Sequence, residues 1–177
     1  MSTLRFPYRL KQVLFYANPG ARPTPVLPED ARKRLSEPMA HQFGILGIGD
    51  QNHLIRVYTW LVAHGADDDT ITAGLIHDVG KACAKCRITV IDRGFHVILS
   101  RFVGPLYRRF AAIETAPALV RGLHRLANHA ERGALAASQA GYNDRVIYLI
   151  RHHETGGEKD DMQLQILRKA DDMVERS

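Results

Sequence analysis

From Pro28 onward, apolar residues recur three and four positions apart almost without interruption, and this spacing restricts the fold more than any other feature. No stretch alternates apolar and polar residues for more than a few positions, and no segment repeats. A period near 3.6 gives each segment one face to bury against the others, which predicts an all-α fold. The chain has 177 residues, 45% of them hydrophobic, enough for one sizeable core. Pro19, Pro23, Pro25 and Pro28 punctuate the start. We therefore expect an N-terminal arm over residues 1–40, irregular or helical, and one helical bundle over 41–177.

Capping signals set the expected helix ends. "PEDARKRLS" reads as a short helix with Pro28 in its first turn. Asp50 is positioned to cap a helix running to about His64, with Gly65 as its stop. Asp67, Asp68 and Asp69 put acidic residues at the positive end of the next helix, "TITAGLIHDVGKA". Residues 88–110 predict one or two helices interrupted at Gly104-Pro105. "TAPALVRGLHRLANHAERGALAASQAG" reads as one long helix ending on Gly141, Asn143 caps "DRVIYLIRHHE", and "MQLQILRKADDMVER" forms the last.

The net charge is +5, with no dense Lys/Arg block of the kind that marks nucleic-acid binding, so no nucleic-acid partner is expected. No apolar run approaches the ~18 residues that span a bilayer, and "MSTLRFPYRLKQ" lacks the apolar core of a secretory signal. The two cysteines, Cys83 and Cys86, are too close to close a useful loop, which points to a reducing, cytoplasmic setting. "CAKC" lacks the second pair that a zinc knuckle requires. "FHVILSRFVGPLYRRF" reads as a core helix with a basic outer edge rather than a membrane-surface helix.

The nine histidines carry the chemical information. His77 and Asp78 end a helix whose apolar stripe includes Ile71, Leu75 and Ile76. His53 shares a side with Val57 and Trp60, His129 continues Leu119, Leu123 and Leu126, and His153 continues Val146, Leu149 and Ile150. His152 sits about a quarter-turn away. Asp171 lies with Leu167 and Val174, whereas Asp172 lies with Arg168, Lys169 and Glu175 on what reads as a solvent face. Any one histidine on an apolar face is ordinarily a hydrogen-bonded core residue, which is the reading for His41, His64, His96 and His124. The set on several helices is different: a buried carboxylate requires a partner, and imidazole mixed with carboxylate suits a divalent Fe, Mn, Co, Ni or Zn ion, or Mg where water fills the shell. No thiolate falls at these positions, which argues against a closed structural zinc site.

His53, then His77-Asp78 in "LIHDVGK", then Asp171 in "ILRKADDM" resembles the H…HD…D signature of the HD superfamily of metal-dependent phosphohydrolases, over about residues 50–176. "HDVGK" is close to the "HDIGK" of one subgroup. "NHAERGALAASQAG" is similar to the segment that supplies a further histidine in binuclear members, here His129. "IRHHETGG" is similar to the segment that supplies another, here His153 and, less directly, His152. The H-x-T-G form of that segment, His153, Thr155 and Gly156, resembles symmetrical diadenosine tetraphosphatases of the superfamily. The "TGGEKD" after "HHE" departs from the D-G-x-G-Y-P of cyclic-dinucleotide phosphodiesterases.

The resemblance implies hydrolysis of a phosphoester or phosphoanhydride by metal-activated water, the substrate being a nucleotide or another small phosphorylated metabolite. His53, His77 and Asp171 would serve a first metal, His129 and His153 (with His152) a second, and Asp78 would join the two. Lys81, one turn beyond His77 if the helix continues, would act on the phosphoryl group, so Asp78 and Lys81 are the expected catalytic residues. Arg125, Arg132, Arg145, Arg151 and Lys159 flank the ligands and include candidate phosphate contacts. Two other outcomes stay open: a symmetrical dinucleoside polyphosphate hydrolase, and a non-catalytic metal- or nucleotide-binding regulatory module.

Overall fold

The computed structural model describes residues 24–82 and 121–176. These hold eight α-helices, one 3₁₀ turn and no strand, so the fold is all-α. In chain order the helices are α1 (Glu29–Lys33), α2 (Glu37–Ile45), α3 (Ile48–Ala63) and α4 (Asp68–Ile76), followed by the 3₁₀ turn Val79–Lys81. Then come α5 (Arg121–Ala127), α6 (His129–Gln139), α7 (Asp144–His152) and α8 (Met162–Arg176). The chain divides into two compact units, residues 1–23 with 83–128 and residues 24–82 with 129–177. In the first unit the described residues comprise α5 and Asn128. The second carries the candidate site.

In that second unit α4 is the central helix. Every residue from Thr70 to Ile76 is buried, as expected of a helix covered on all sides by others. It packs against α3, α7 and α8. The contact with α3 is close because residue 74 is glycine: a Cβ there would lie 2.2 Å from Leu61 Cδ1. Leu54, Leu61, Leu75, Leu149, Leu164 and Leu167 are fully buried in the shared core. Each contributes about 2 kcal/mol of transfer free energy, and together they fix the helices that carry the polar residues of the site.

Several ends fall where the capping residues indicate. The Asp67 carboxylate accepts from the Thr70 amide at 3.0 Å, and the Asn143 side chain accepts from the Val146 amide at 2.9 Å. Gly65 follows α3 with φ +66°, the left-handed conformation suited to glycine. Ala31 and Met39, on α1 and α2, are part of the core, although both precede residue 41. Arg34, between those helices, bonds to Asp68 Oδ1 at 2.7 Å and to Thr72 Oγ1 at 3.0 Å, fastening this stretch to α4.

Three boundaries differ from expectation. Asp50 does not cap α3; Gly47 does, and Asp50 is a buried residue of the first turn. A carboxylate in the first turn faces the same positive helix end as a cap, so the two positions give the same sequence signal. The long helix expected before Gly141 is two helices, α5 and α6, broken at Asn128. The Asn128 side chain donates to the His124 carbonyl at 2.9 Å, competing for the acceptor that continues a helix. Finally, α4 stops at Ile76 instead of running to Ala82, and the chain tightens into the 3₁₀ turn. The "CAKC" motif, the 88–110 segment and His96 lie outside the described residues. No helix among the described residues is long and apolar enough to cross a membrane.

Candidate metal centre

Five helices and one turn bring the candidate residues together. His53 comes from α3, His77 is the C-cap of α4, Asp78 opens the 3₁₀ turn, His129 begins α6, His153 is the C-cap of α7, and Asp171 lies on α8. His53 Nε2 is 3.0 Å from Asp171 Oδ1, and His77 Nε2 is 3.6 Å from the same oxygen. His129 Nε2 is 3.2 Å from Asp78 Oδ1, and His153 Nε2 is 3.8 Å from it. The Nε2 atoms of His129 and His153 are 3.2 Å apart.

The premature end of α4 creates half of this arrangement. Gly80 lies against α6 so closely that a Cβ would sit 1.9 Å from the His129 carbonyl oxygen and 2.7 Å from the Gly133 amide. Only glycine permits that approach, and it brings Asp78 to His129. Backbone carbonyls fix the ring orientations. His77 Nδ1 donates to the Gly74 carbonyl at 3.0 Å, and His153 Nδ1 donates to the Ile150 carbonyl at 2.7 Å. A carbonyl only accepts, so the proton resides on Nδ1 and the Nε2 lone pair is turned into the cluster.

His77, Asp78, His129 and His153 are buried, whereas His53 and Asp171 are half-buried. Burial opposes ionisation of Asp78, but the Lys81 ammonium and the His77 and His129 rings outweigh it and hold the carboxyl well below its usual range. Asp171 is likewise held low against burial, by the facing His53 and His77 rings. Burial disfavours the protonated rings of His77 and His129, yet the facing carboxylates raise both above the ordinary value. His153 is pushed down to about 4 by burial and by the other two rings. The cluster therefore pairs fixed carboxylates with imidazoles that hold exchangeable protons.

One atom is left over. His77 Nε2 is buried and has no hydrogen-bond partner, with Asp171 Oδ1 at 3.6 Å and Asp78 Oδ2 at 3.9 Å. A buried polar atom left unsatisfied costs about 1–3 kcal/mol. A cation between these atoms would satisfy the lone pair and both carboxylates. Three sets of ligand atoms, each mutually within 4.8 Å, are placed to hold such an ion: His53, His77 and Asp171; His77, Asp78 and His153; and His129, His153 and Glu154. Imidazole nitrogen with carboxylate oxygen is a fitting donor set for a divalent first-row metal.

His152 joins none of these sets; its ring packs on Tyr148, with centroids 4.5 Å apart. Glu154, which helical phase alone does not single out, takes part instead. Its signal in the sequence is the last letter of "HHE", but α7 ends at His152, so the helical period no longer places the residues beyond it. Lys81 bonds to Asp78 and is mostly buried, not a solvated lysine, although no continuing helix carries it there. Asp172 lies outside the three sets. Arg145 and Arg151 are committed to Asp161 and Glu131.

Arg168 has the phase of a solvent face, yet its guanidinium donates to the carbonyls of His152 at 2.6 Å, His153 at 3.1 Å and Gly156 at 2.6 Å. Comparison of the chain with family models, with curated proteins and with solved structures returns no match.

Proposed function

We propose that this chain is a metal-dependent phosphohydrolase of the HD type, acting on a phosphoester or phosphoanhydride of a nucleotide or small phosphorylated metabolite. The observation that carries the reading is the convergence of His53, His77, Asp78, His129, His153 and Asp171, with the His77 Nε2 atom buried and without a hydrogen-bond partner. His53, His77 and Asp171 would hold one divalent cation, and Asp78 with His129 and His153 a second. A bound cation supplies a Lewis acid for a phosphoryl oxygen and acidifies a water.

The protein's own groups do the positioning. Asp78, kept anionic, turns Oδ2 toward His77 and Lys81 and Oδ1 toward His129 and His153, so one carboxylate spans both halves of the cluster. The Lys81 ammonium lies beside it, suited to neutralising charge on a phosphoryl or leaving oxygen. His77, His129 and His153 are buried, while Asp171 is 27% exposed and Glu154 44% exposed. Substrate would therefore approach past these carboxylates.

The test is hydrolysis by the full chain, loaded with Mn, Fe, Co, Ni, Zn or Mg. The substrates are nucleotides, dinucleoside polyphosphates and phosphate monoesters. Turnover of at least one class is expected, abolished in His77→Ala and reduced about 10²-fold or more in Lys81→Ala. Metal binding without turnover of any class would replace the enzyme with a metal-holding regulatory module.

A further inference from the structure

We propose that Glu154 is a ligand of the second cation position, joining His129, His153 and Asp78 there. The proposal rests on reading the cluster as a metal centre. It assigns to Glu154 the role that sequence likeness offered to His152. The Glu154 Oε1 atom is 3.8 Å from His129 Nε2. With His153 Nε2, which lies 3.2 Å from that same His129 nitrogen, these atoms form one set spanning no more than 4.8 Å. Atoms that each bind a metal at about 2 Å lie about 3–4 Å apart when they share it, so the spacing is near that of a ligand set.

The local chain is built to keep Glu154 there. Helix α7 ends at His152, and the backbone turns back through Gly156 and Gly157, whose φ angles are +78° and +74°. A Cβ at Gly157 would lie 2.5 Å from Leu164 Cδ2, so the turn is pressed against α8. From α8, Arg168 bonds to the carbonyls of His152, His153 and Gly156. These acceptors bracket Glu154, and the same helix carries Asp171 less than one turn further on. Arg168 is thus a positioning residue: it fixes the Glu154 segment relative to the helix that serves the first cation position. His152 faces the other way, onto Tyr148. Glu154 is also the most exposed of these ligands, as a group at the mouth of the site should be.

The experiment is titration of the metal-free full chain with Co²⁺, followed by visible absorption, whose d–d bands report the ligand set, and by elemental analysis after desalting. Wild type should take two equivalents. In Glu154→Gln, which keeps the side-chain volume, the weaker equivalent should bind about tenfold or more less tightly with an altered spectrum, while the tighter one is unchanged. His152→Ala should match wild type in both. Arg168→Gln should weaken the same equivalent as Glu154→Gln, and Arg168→Lys should not restore it, because three carbonyls need a forked donor. Wild-type affinity and spectrum in Glu154→Gln would overturn the assignment, as would a single equivalent in wild type, with the metal reading still standing. No bound cobalt at all would overturn both.

Discussion

The Nε2 lone pairs of His77 and His153 are directed by backbone carbonyls that lie three residues earlier in the chain, Gly74 and Ile150. Both residues are helix C-caps, so each ring bonds back to its own last turn, and the opposite nitrogen must face away from the helix. Asp171 and Asp172 show how much one residue of helical phase decides. Asp171 Oδ1 meets His53 at 3.0 Å and His77 at 3.6 Å, while Asp172 lies one position, about 100°, around α8 and belongs to none of the ligand sets. Asp171→Ala should therefore abolish retention of the metal held with His53 and His77, while Asp172→Ala, outside the ligand sets, should leave metal affinity within about twofold of wild type. Elemental analysis of the two purified variants decides this, and the opposite pattern would show that the phase is misread.

At the scale of elements, the contact between the 3₁₀ turn and α6 sets the site's geometry. It depends on Gly80, because any Cβ would collide with the His129 carbonyl. Gly80→Ala should push the turn from α6, destabilise the protein by about 1–3 kcal/mol as overpacking does, and draw Asp78 away from His129 and His153. Thermal denaturation and metal titration should then both fall short of wild type; unchanged values in both would mean that the turn is free to shift. This contact also explains what the sequence made legible. Asp67, Gly65 and Asn143 act locally, on amides and turns within a few residues, and their effects are where the pattern puts them. The inward phase of His53 and Asp171, and of the C-cap His153, is set by apolar neighbours on the same helix, whereas Leu123 and Leu126, whose stripe His129 continues in the sequence, lie on α5 before the break at Asn128. The end of α4 at Ile76 is not set within its own helix, since it is imposed by packing against a helix more than forty residues later in the chain. Glu154 and Arg168 escape a sequence reading for the same reason: each acts where a helix has ended or on the end of another helix, and a single-helix period is silent about both.

Across the whole molecule, the cluster couples metal binding to stability and pH. Without a cation, two carboxylates held anionic are balanced by protons on His77 and His129, whose pKa values are raised. A group raised on folding stabilises the folded state fully below its unfolded pKa, about 6.5 for histidine, and that contribution is lost as pH rises through the folded value. Metal-free protein therefore loses this contribution as pH climbs above about 6.5. A cation must displace the same protons, so its affinity changes in the opposite sense and increases over that range. His153, at about 4, is already neutral in the folded protein there and adds nothing to the change in metal affinity. The stability gap between metal-loaded and metal-free protein should consequently widen with pH. At a free-metal concentration about 100 times Kd the gap is about 2.7 kcal/mol per site, and for a chain of this size each kcal/mol moves Tm by about 2–4 °C. Thermal melts with Mn²⁺ and with a chelator, at about pH 6 and about pH 8, should show a shift of roughly 5–11 °C per site at saturation, larger at the higher pH. A gap that is the same or narrower at about pH 8 would mean that the cation does not compete for the protons of His77 and His129, and so is not held by their Nε2 atoms.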